Sequence, residues 1–559
     1  MMIFPRFTFL LLMVLLTPTA AMATPRLVLQ ITIDQLRADM PNRVRQHWGT
    51  GGFRYLYDDG LVYSNAYHAH ANTETIVGHT TLATGAYPSV HGMVGNLWYD
   101  RDQQRVVYNI EDPAYALLSA NADVDRNTEI DPTQRAAKND GRSPGAIRVS
   151  TLADEIALAG NGKARVFGIS VKDRGAVAMA GHAGKAFWFS KASGEFVTSN
   201  YYYDRYPKWV ADWNGARPAH QYSQQQWSLS LPESVYHFAD EAEWETDFPG
   251  YGNTFPHAFG KADGKYFTTL LTLSPVGDAL TADFAKALID AEQLGTDNVT
   301  DYLSVSFSSV DYVGHLFGPA SRESEDNLIR LDRTLADLLG FIDQKIGLQH
   351  VLIVLSSDHG SPEVAGRLNA FNVPAGNIPL AGWPQAEVNR ALQTALGLST
   401  SPIQAVSWPY VYLDHALLAR EGIDRLTAAN AVAAAAASLP GVLEAVVTSD
   451  LPTDVSRPDY LARVANNQAA GRSGDIYLVS MPHWFVADFD GLNVASAHGS
   501  PWTYDTHVPV IFAGNGIRPG QVNRQIETVD VASSIAARLG IKPPSGAVGR
   551  ILPEIMKDN

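Results

Sequence analysis

Five short runs of the chain are mostly apolar: Leu27–Ile33, Arg165–Val171, Tyr302–Phe307, Val351–Leu355 and Val508–Phe512. They lack the alternation that marks a strand with one wet face. They therefore predict strands buried on both sides, as in a parallel sheet covered by helices. Helical spacing fills the intervals at Thr75–Thr84, Val149–Leu158, Thr281–Glu292, Glu323–Ile346 and Val529–Leu539. Interleaved in this way, the two patterns predict an α/β sandwich with a mostly parallel central sheet and helices on both faces.

Two stretches interrupt the pattern. Residues from about 180 to 280 are rich in Tyr, Trp, Phe, Gly and Pro with little periodicity, which predicts a capping insertion of loops and short strands. Residues from about 361 to 490 alternate at Gln385–Leu396, Ala405–Leu413, Ile423–Ser438, Val442–Thr448, Asp459–Asn467 and Asp475–Val479, enough for a small α+β subdomain. The Ala428–Ala437 run falls inside one of these helices, as expected for the best helix former. No internal repeat of 20–50 residues and no long low-complexity segment is evident.

The amino terminus has a different character. Arg6, the apolar run Phe7–Leu16 and the small-x-small site Ala21-Met22-Ala23 predict a secretory signal peptide over residues 1–23. Residues 24–559 are then one exported domain, periplasmic or secreted, with no membrane anchor once the signal is cleaved. The 559 residues contain 0 Cys, so stability must come from the core and from bound ions, and any metal site must use His, Asp, Glu or hydroxyl oxygen. A formal net charge of -16 argues against a nucleic-acid platform or an anionic-membrane binder.

Chemistry-bearing residues gather at strand ends. Asp34 closes the first run, Lys172-Asp173-Arg174 follows the second, and Asp311-Tyr-Val-Gly-His315 follows the third. Asp358-His359 follows the fourth, and His498-Gly499 precedes the fifth. Ligands of open α/β sheets bind beyond the carboxyl ends of strands, so these residues are expected on one rim. Thr75 sits just before a helix in Asn72-Thr-Glu-Thr75-Ile-Val-Gly-His79. Its hydroxyl is a poor nucleophile until a base or a metal ionises it. No histidine pairs with it in a triad pattern, whereas the Asp and His residues could hold two ions.

In that order, Asp34, Thr75-x-x-Gly-His79, the Thr84-Gly-x-Tyr-Pro-x-x-His-Gly92 segment, Asp311-x-x-x-His315, Asp358-His359 and His498-Gly499 resemble the alkaline phosphatase superfamily. The likeness is to its threonine-nucleophile branch. That branch holds bacterial alkaline phosphatases of the phosphate-irrepressible type and nucleotide pyrophosphatase/phosphodiesterases. The resemblance implies two Zn2+ ions, one on Asp34, Asp358, His359 and the Thr75 oxygen, the other on Asp311, His315 and His498. It implies that Thr75 forms a phosphothreonine, that the leaving oxygen departs beside the second ion, and that Asn96 binds phosphate. His507 competes with His498 for the last ligand position, but His-Gly-Ser fits the family pattern better. His68, His70, His79 and His91 read as hydrogen-bonded structural histidines. Calcium elsewhere is left open.

Lys172-Asp173-Arg174 resembles the signature of the monoesterase members, with two cations for a dianionic phosphoryl group: Arg174 can grip two phosphate oxygens through its planar fork, and Lys172 acts as a compact point charge. Asp173 is expected to point away and hold the turn. Phosphate monoesters are therefore the expected substrates. The rival is a phosphodiesterase, whose second substituent would need an apolar pocket that residues from about 180 to 280 could build. A sulfatase is disfavoured by the lack of Cys and of a serine version of its modification motif. A non-catalytic metal- and phosphate-binding protein is the remote alternative.

Overall fold

The computed structural model describes residues 24–451, 458–489 and 491–556. The expected signal peptide lies outside them. No helix of the described residues is long and apolar enough to cross a membrane.

The centre of the molecule is a ten-stranded sheet. Leu27–Ile33 runs through its middle, parallel to Asp301–Phe307 on one side and to Val351–Ser356 on the other. Val166–Ser170 extends the parallel set beyond Asp301–Phe307. All four strands are buried along their full length, polar Gln30, Thr32, Ser304 and Ser306 included, and they read as mostly apolar runs. Helices Arg322–Lys345 and Val276–Ala291 pack on one face, and Thr75–Thr84 and Asp530–Leu539 on the other.

Register determines what meets at the rim. Ile33 pairs with Phe307, Thr32 with Ser356, and Ser306 with Ser170, so the four carboxyl ends finish level. His507–Ala513 pairs antiparallel with Val351–Ser356, with Val510 opposite Ser356. Its amino end therefore reaches the same rim, which explains how His498, ahead of its strand, can join residues that follow theirs.

Several elements differ from the sequence reading. Leu61–Tyr67 is a sheet strand between His507–Ala513 and Gly520–Val522, and its half-exposed positions gave no clean apolar run. Lys185–Ser190 and Glu195–Val197 continue the sheet, so the segment expected to cap the core begins by extending it. The stretch expected as one strand over Ala405–Leu413 is a hairpin of Ile403–Ser407 and Tyr410–Leu413. Pro409, lacking the N–H that a strand ladder uses, sits at the break. With Ile476–Ser480 and Val442–Val447 that hairpin makes a separate four-stranded sheet.

Candidate active site

Thr75 opens the Thr75–Thr84 helix, and every residue of that helix is buried. A hydroxyl there faces the positive end of the helix, where a developing anion is favoured. The helix lies hard against the loop after Val351–Ser356. A Cβ added at Gly78 would stand 1.9 Å from the Asp358 carbonyl oxygen, so only glycine permits this approach. One turn past Thr75, His79 Nδ1 is 2.8 Å from the Thr75 carbonyl and 3.1 Å from Asp358 Oδ2, and its Nε2 is 2.8 Å from Ser306 Oγ. Upstream of Thr75, the Thr73 carbonyl is 2.8 Å from His498 Nδ1. The helix start is thus in touch with residues on both sides of it.

Those residues form two groups whose ligand atoms lie within 4.8 Å of one another: Asp34, Asp358 and His359, and Asp311, His315 and His498. Asp311 and His315 share one face of the Ser309–Phe317 helix, four residues apart. Each imidazole turns Nδ1 to a backbone carbonyl: His315 to Ser496 at 2.8 Å, His498 to Thr73 at 2.8 Å and His359 to Gly360 at 3.0 Å. This leaves every Nε2 aimed at carboxylates. His315 and His498 Nε2 each lie 3.3 Å from Asp311 Oδ1, and His359 Nε2 lies 3.4 Å from both Asp34 Oδ1 and Asp358 Oδ2. A carbonyl-anchored Nδ1 that frees Nε2 is the usual outer-shell arrangement of a metal-binding histidine.

The buried polar atoms fit metal ions in a second way. Asp34 Oδ1 and His359 Nε2 are buried without a hydrogen-bond partner. Such atoms are costly unless something else pairs with them. Burial, reinforced by the neighbouring Asp311 and Asp358 carboxylates, pushes the Asp34 carboxyl well above its ordinary range. Burial lowers His359 and His498, favouring the neutral imidazoles that ligate metals. Two groups of oxygen and nitrogen donors, without thiolate, suit zinc among other divalent ions.

Lys172 joins the two groups. Its ammonium is 2.7 Å from Asp34 Oδ2 and also pairs with Asp311 Oδ2. The rings of His359 and His498 stack at 3.6 Å between centroids. Arg174 reaches Thr75 itself, with Nη2 at 3.3 Å from Oγ1. Asn96 accepts the Ile76 N–H through Oδ1 at 3.2 Å and lines the same cavity as Arg174. Asp173 turns away to take the Tyr108 hydroxyl at 2.6 Å and Arg142 Nε at 2.7 Å. His507 lies apart from both groups, 2.9 Å from the Ser64 carbonyl and stacked on Tyr67. His68 and His91 are hydrogen-bonded within the fold, as is His70 through Nδ1.

Two residues at the site were missed from sequence. Asp131 accepts Arg174 Nη1 at 2.7 Å on the side away from Thr75. Burial alone would raise its carboxyl, but Arg174 together with Lys191, Thr133 and Lys172 offsets that and holds it well below the usual range. Glu74 accepts the Asn96 backbone N–H at 2.6 Å and Asn72 Nδ2 at 3.1 Å, tying the turn before Thr75 to the Asn96 loop. Glu74 directly precedes Thr75 and could have been singled out. Asp131 lies in a loop without pattern and could not.

The cavity over Arg174, His315 and His498 has a volume of about 390 Å³. Its apolar wall comes from Leu97, Val106, Val406, Trp408, Phe489 and Leu492, and none of its lining residues falls between 180 and 280. The segment that could have supplied such a pocket instead packs its Phe196, Trp209 and Trp213 around Phe284, and it meets the cavity from behind its lining, where Thr246 donates to the Leu316 and Asn493 carbonyls.

The family model for type I phosphodiesterase / nucleotide pyrophosphatase matches residues 28–507. Alkaline phosphatase PhoV of Synechococcus elongatus is 32% identical over 96% of this chain and 94% of its own. Alkaline phosphatase PafA of Elizabethkingia meningoseptica is 33% identical over 96% of both chains. A crystal structure of wild-type PafA superposes with a TM-score of 0.87 at 32% identity, covering 96% of this chain and 99% of that one. A Myroides odoratus protein named calcium-transporting ATPase is 32% identical over 95% of each chain. The chain belongs to the type I phosphodiesterase / nucleotide pyrophosphatase family.

Proposed function

We propose that this protein is an exported alkaline phosphatase that hydrolyses phosphate monoesters through a phosphothreonine on Thr75. The observation that carries the reading is the Thr75 hydroxyl at a helix start, 3.3 Å from Arg174 Nη2, on a turn that touches both groups of carbonyl-anchored histidines and buried carboxylates, through His79 to Asp358 and through the Thr73 carbonyl to His498. Likeness over nearly the whole chain to proteins named alkaline phosphatases supports it.

In this reading Asp34, Asp358, His359 and Thr75 hold one Zn2+, and Asp311, His315 and His498 hold a second. When bound, such a pair supplies Lewis-acid stabilisation of the attacking and leaving oxygens. The chain's own residues do the rest. Thr75 Oγ1 forms a bond to phosphorus as the ester oxygen departs on the opposite side, and water then cleaves the phosphothreonine. Arg174 and Asn96 bind nonbridging oxygens, where charge is spread in the transition state. Lys172 brings a buried ammonium, raised above its ordinary range against burial by Asp311 and Asp34. These two cations favour the dianionic group of a monoester.

A phosphodiesterase is the second reading, favoured by the apolar cavity wall. Rates of the zinc-loaded protein on an aryl phosphate and a bis-aryl phosphate separate the two. The monoester is expected to turn over faster, and Arg174→Ala to cost it more than the diester. Thr75→Ala is expected to abolish covalent labelling by substrate and most turnover while zinc content stays near wild type. Full activity in that variant would sink the mechanism.

A further inference from the structure

The apolar wall belongs to the substrate cavity yet plays no part in the chemistry above. Its six principal side chains come from four places: the Leu97–Asp100 and Arg105–Tyr108 hairpin, the Ile403–Ser407 strand, Trp408 beyond it, and the Asp488–Asn493 hairpin. They are half-buried edges of separate apolar clusters, and the cavity is where those edges meet. Such side chains are normally covered by each other or by a partner. Here they face a space of about 390 Å³, within the range of small-molecule sites.

Their placement points to one part of the substrate. The Phe489 ring meets His315 edge-on at 5.1 Å between centroids. His315 and His498 lie on the side assigned to the departing oxygen. The Asp488–Asn493 hairpin is also tied down, since Arg135 Nη2 donates to the Phe489 carbonyl at 3.1 Å. Apart from Arg174 and the histidines, the charged residues lining the cavity are acidic, namely Glu74, Asp131, Asp311 and Asp488, while Arg105 and Arg135, outside the lining, donate to the Val106 and Phe489 carbonyls. Among the described residues Arg174 is the one Lys or Arg in that lining, and it is engaged with Asp131 and Thr75. An anionic leaving group would find no further Lys or Arg among the lining residues.

Resting on the phosphatase reading, we infer that the cavity wall binds the organic part of the leaving group, and that the preferred substrates are monoesters of uncharged, apolar alcohols. Burial of each methylene against such a wall is worth up to about a fourfold gain in kcat/KM.

The test uses n-alkyl phosphates from ethyl to hexyl on the zinc-loaded enzyme, because the alcohol pKa scarcely changes along that series. Binding of the matching n-alkylphosphonates, which cannot be hydrolysed, is measured by calorimetry. Both kcat/KM and phosphonate affinity are expected to rise with chain length, by at least about tenfold overall. Phe489→Ala and Val406→Asn, on two separate elements, are each expected to flatten the slope. A flat series in the wild type overturns the inference, and so does a slope that both variants retain. If no ester is hydrolysed but phosphonate affinity still climbs with length, the phosphatase reading falls and the apolar subsite stands.

Discussion

Removing the Asp131 carboxylate should reach catalysis through Arg174. Arg174 is 3% exposed and Asp131 8%, and their 2.7 Å contact holds the guanidinium with its other nitrogen 3.3 Å from Thr75 Oγ1. Asp131 is itself fixed, since its Oδ1 accepts Thr133 N at 2.9 Å and Thr133 Oγ1 at 2.6 Å. A hydrogen bond to a charged partner contributes about 1.5–3 kcal/mol. In Asp131→Ala the guanidinium loses that anchor, so kcat/KM for an aryl phosphate is predicted to fall by about 10- to 100-fold. A bis-aryl phosphate should lose less. The decisive assay is a double-mutant cycle with Arg174→Ala, which isolates the pairwise term. In the Arg174→Ala background, Asp131→Ala should cost less than about twofold. Asp131→Ala should also lower stability, because it leaves a buried cation unpaired, and adding Arg174→Ala should restore part of the loss. Equal losses of kcat/KM in the two backgrounds would refute the proposed route through Arg174.

Gly78→Ala should cut kcat by about a hundredfold and reduce zinc content, because its Cβ would overlap the Asp358 carbonyl at 1.9 Å; normal values of both would show that the helix and loop shift freely. His498→Ala is expected to lose about one zinc per chain by elemental analysis while His507→Ala keeps both, and the reverse result would exchange their roles. Burial raises the Glu323 carboxyl to about 8, with His257 Nε2 at 3.2 Å from its Oε1. A carboxyl whose folded pKa is raised binds its proton more tightly in the native state, so stability is full below the unfolded value of about 4.5 and is lost as pH rises through about 8. Glu323→Gln should therefore gain on the wild type, by on the order of 3 kcal/mol, between pH 5 and pH 9 in denaturant titrations, and a pH-independent difference would refute this.

Much of the site could be read from the chain because its parts are local. Asp34 follows an apolar run directly, Asp358 and His359 are adjacent, and Asp311 and His315 sit one helical turn apart. Thr75 opens a helix whose start a polar turn announces. Those features depend on neighbours in sequence, where backbone geometry alone sets what faces what. Fold class was legible for the same reason, since strands buried on both faces favour mostly apolar runs over charged alternation.

Other features depend on contacts between distant segments. Leu61–Tyr67 carries a half-exposed pattern, and only its pairing with His507–Ala513 makes it part of the sheet. Residues from about 180 to 280 could have built the wall of the cavity, yet it comes from segments near 97–106, 406–408 and 489–492. Asp131 has no signature at all, and its importance arises from lying 43 residues away on the other side of Arg174. The central parallel strands, the helices between them and the kinds of donor at their ends could be read from the chain alone, because hydrophobic period and donor chemistry are properties of short segments. Only the tertiary structure decided which loops share the rim, which histidine nitrogen faces the carboxylates and what surrounds the substrate, because strand register and packing between distant segments set those distances.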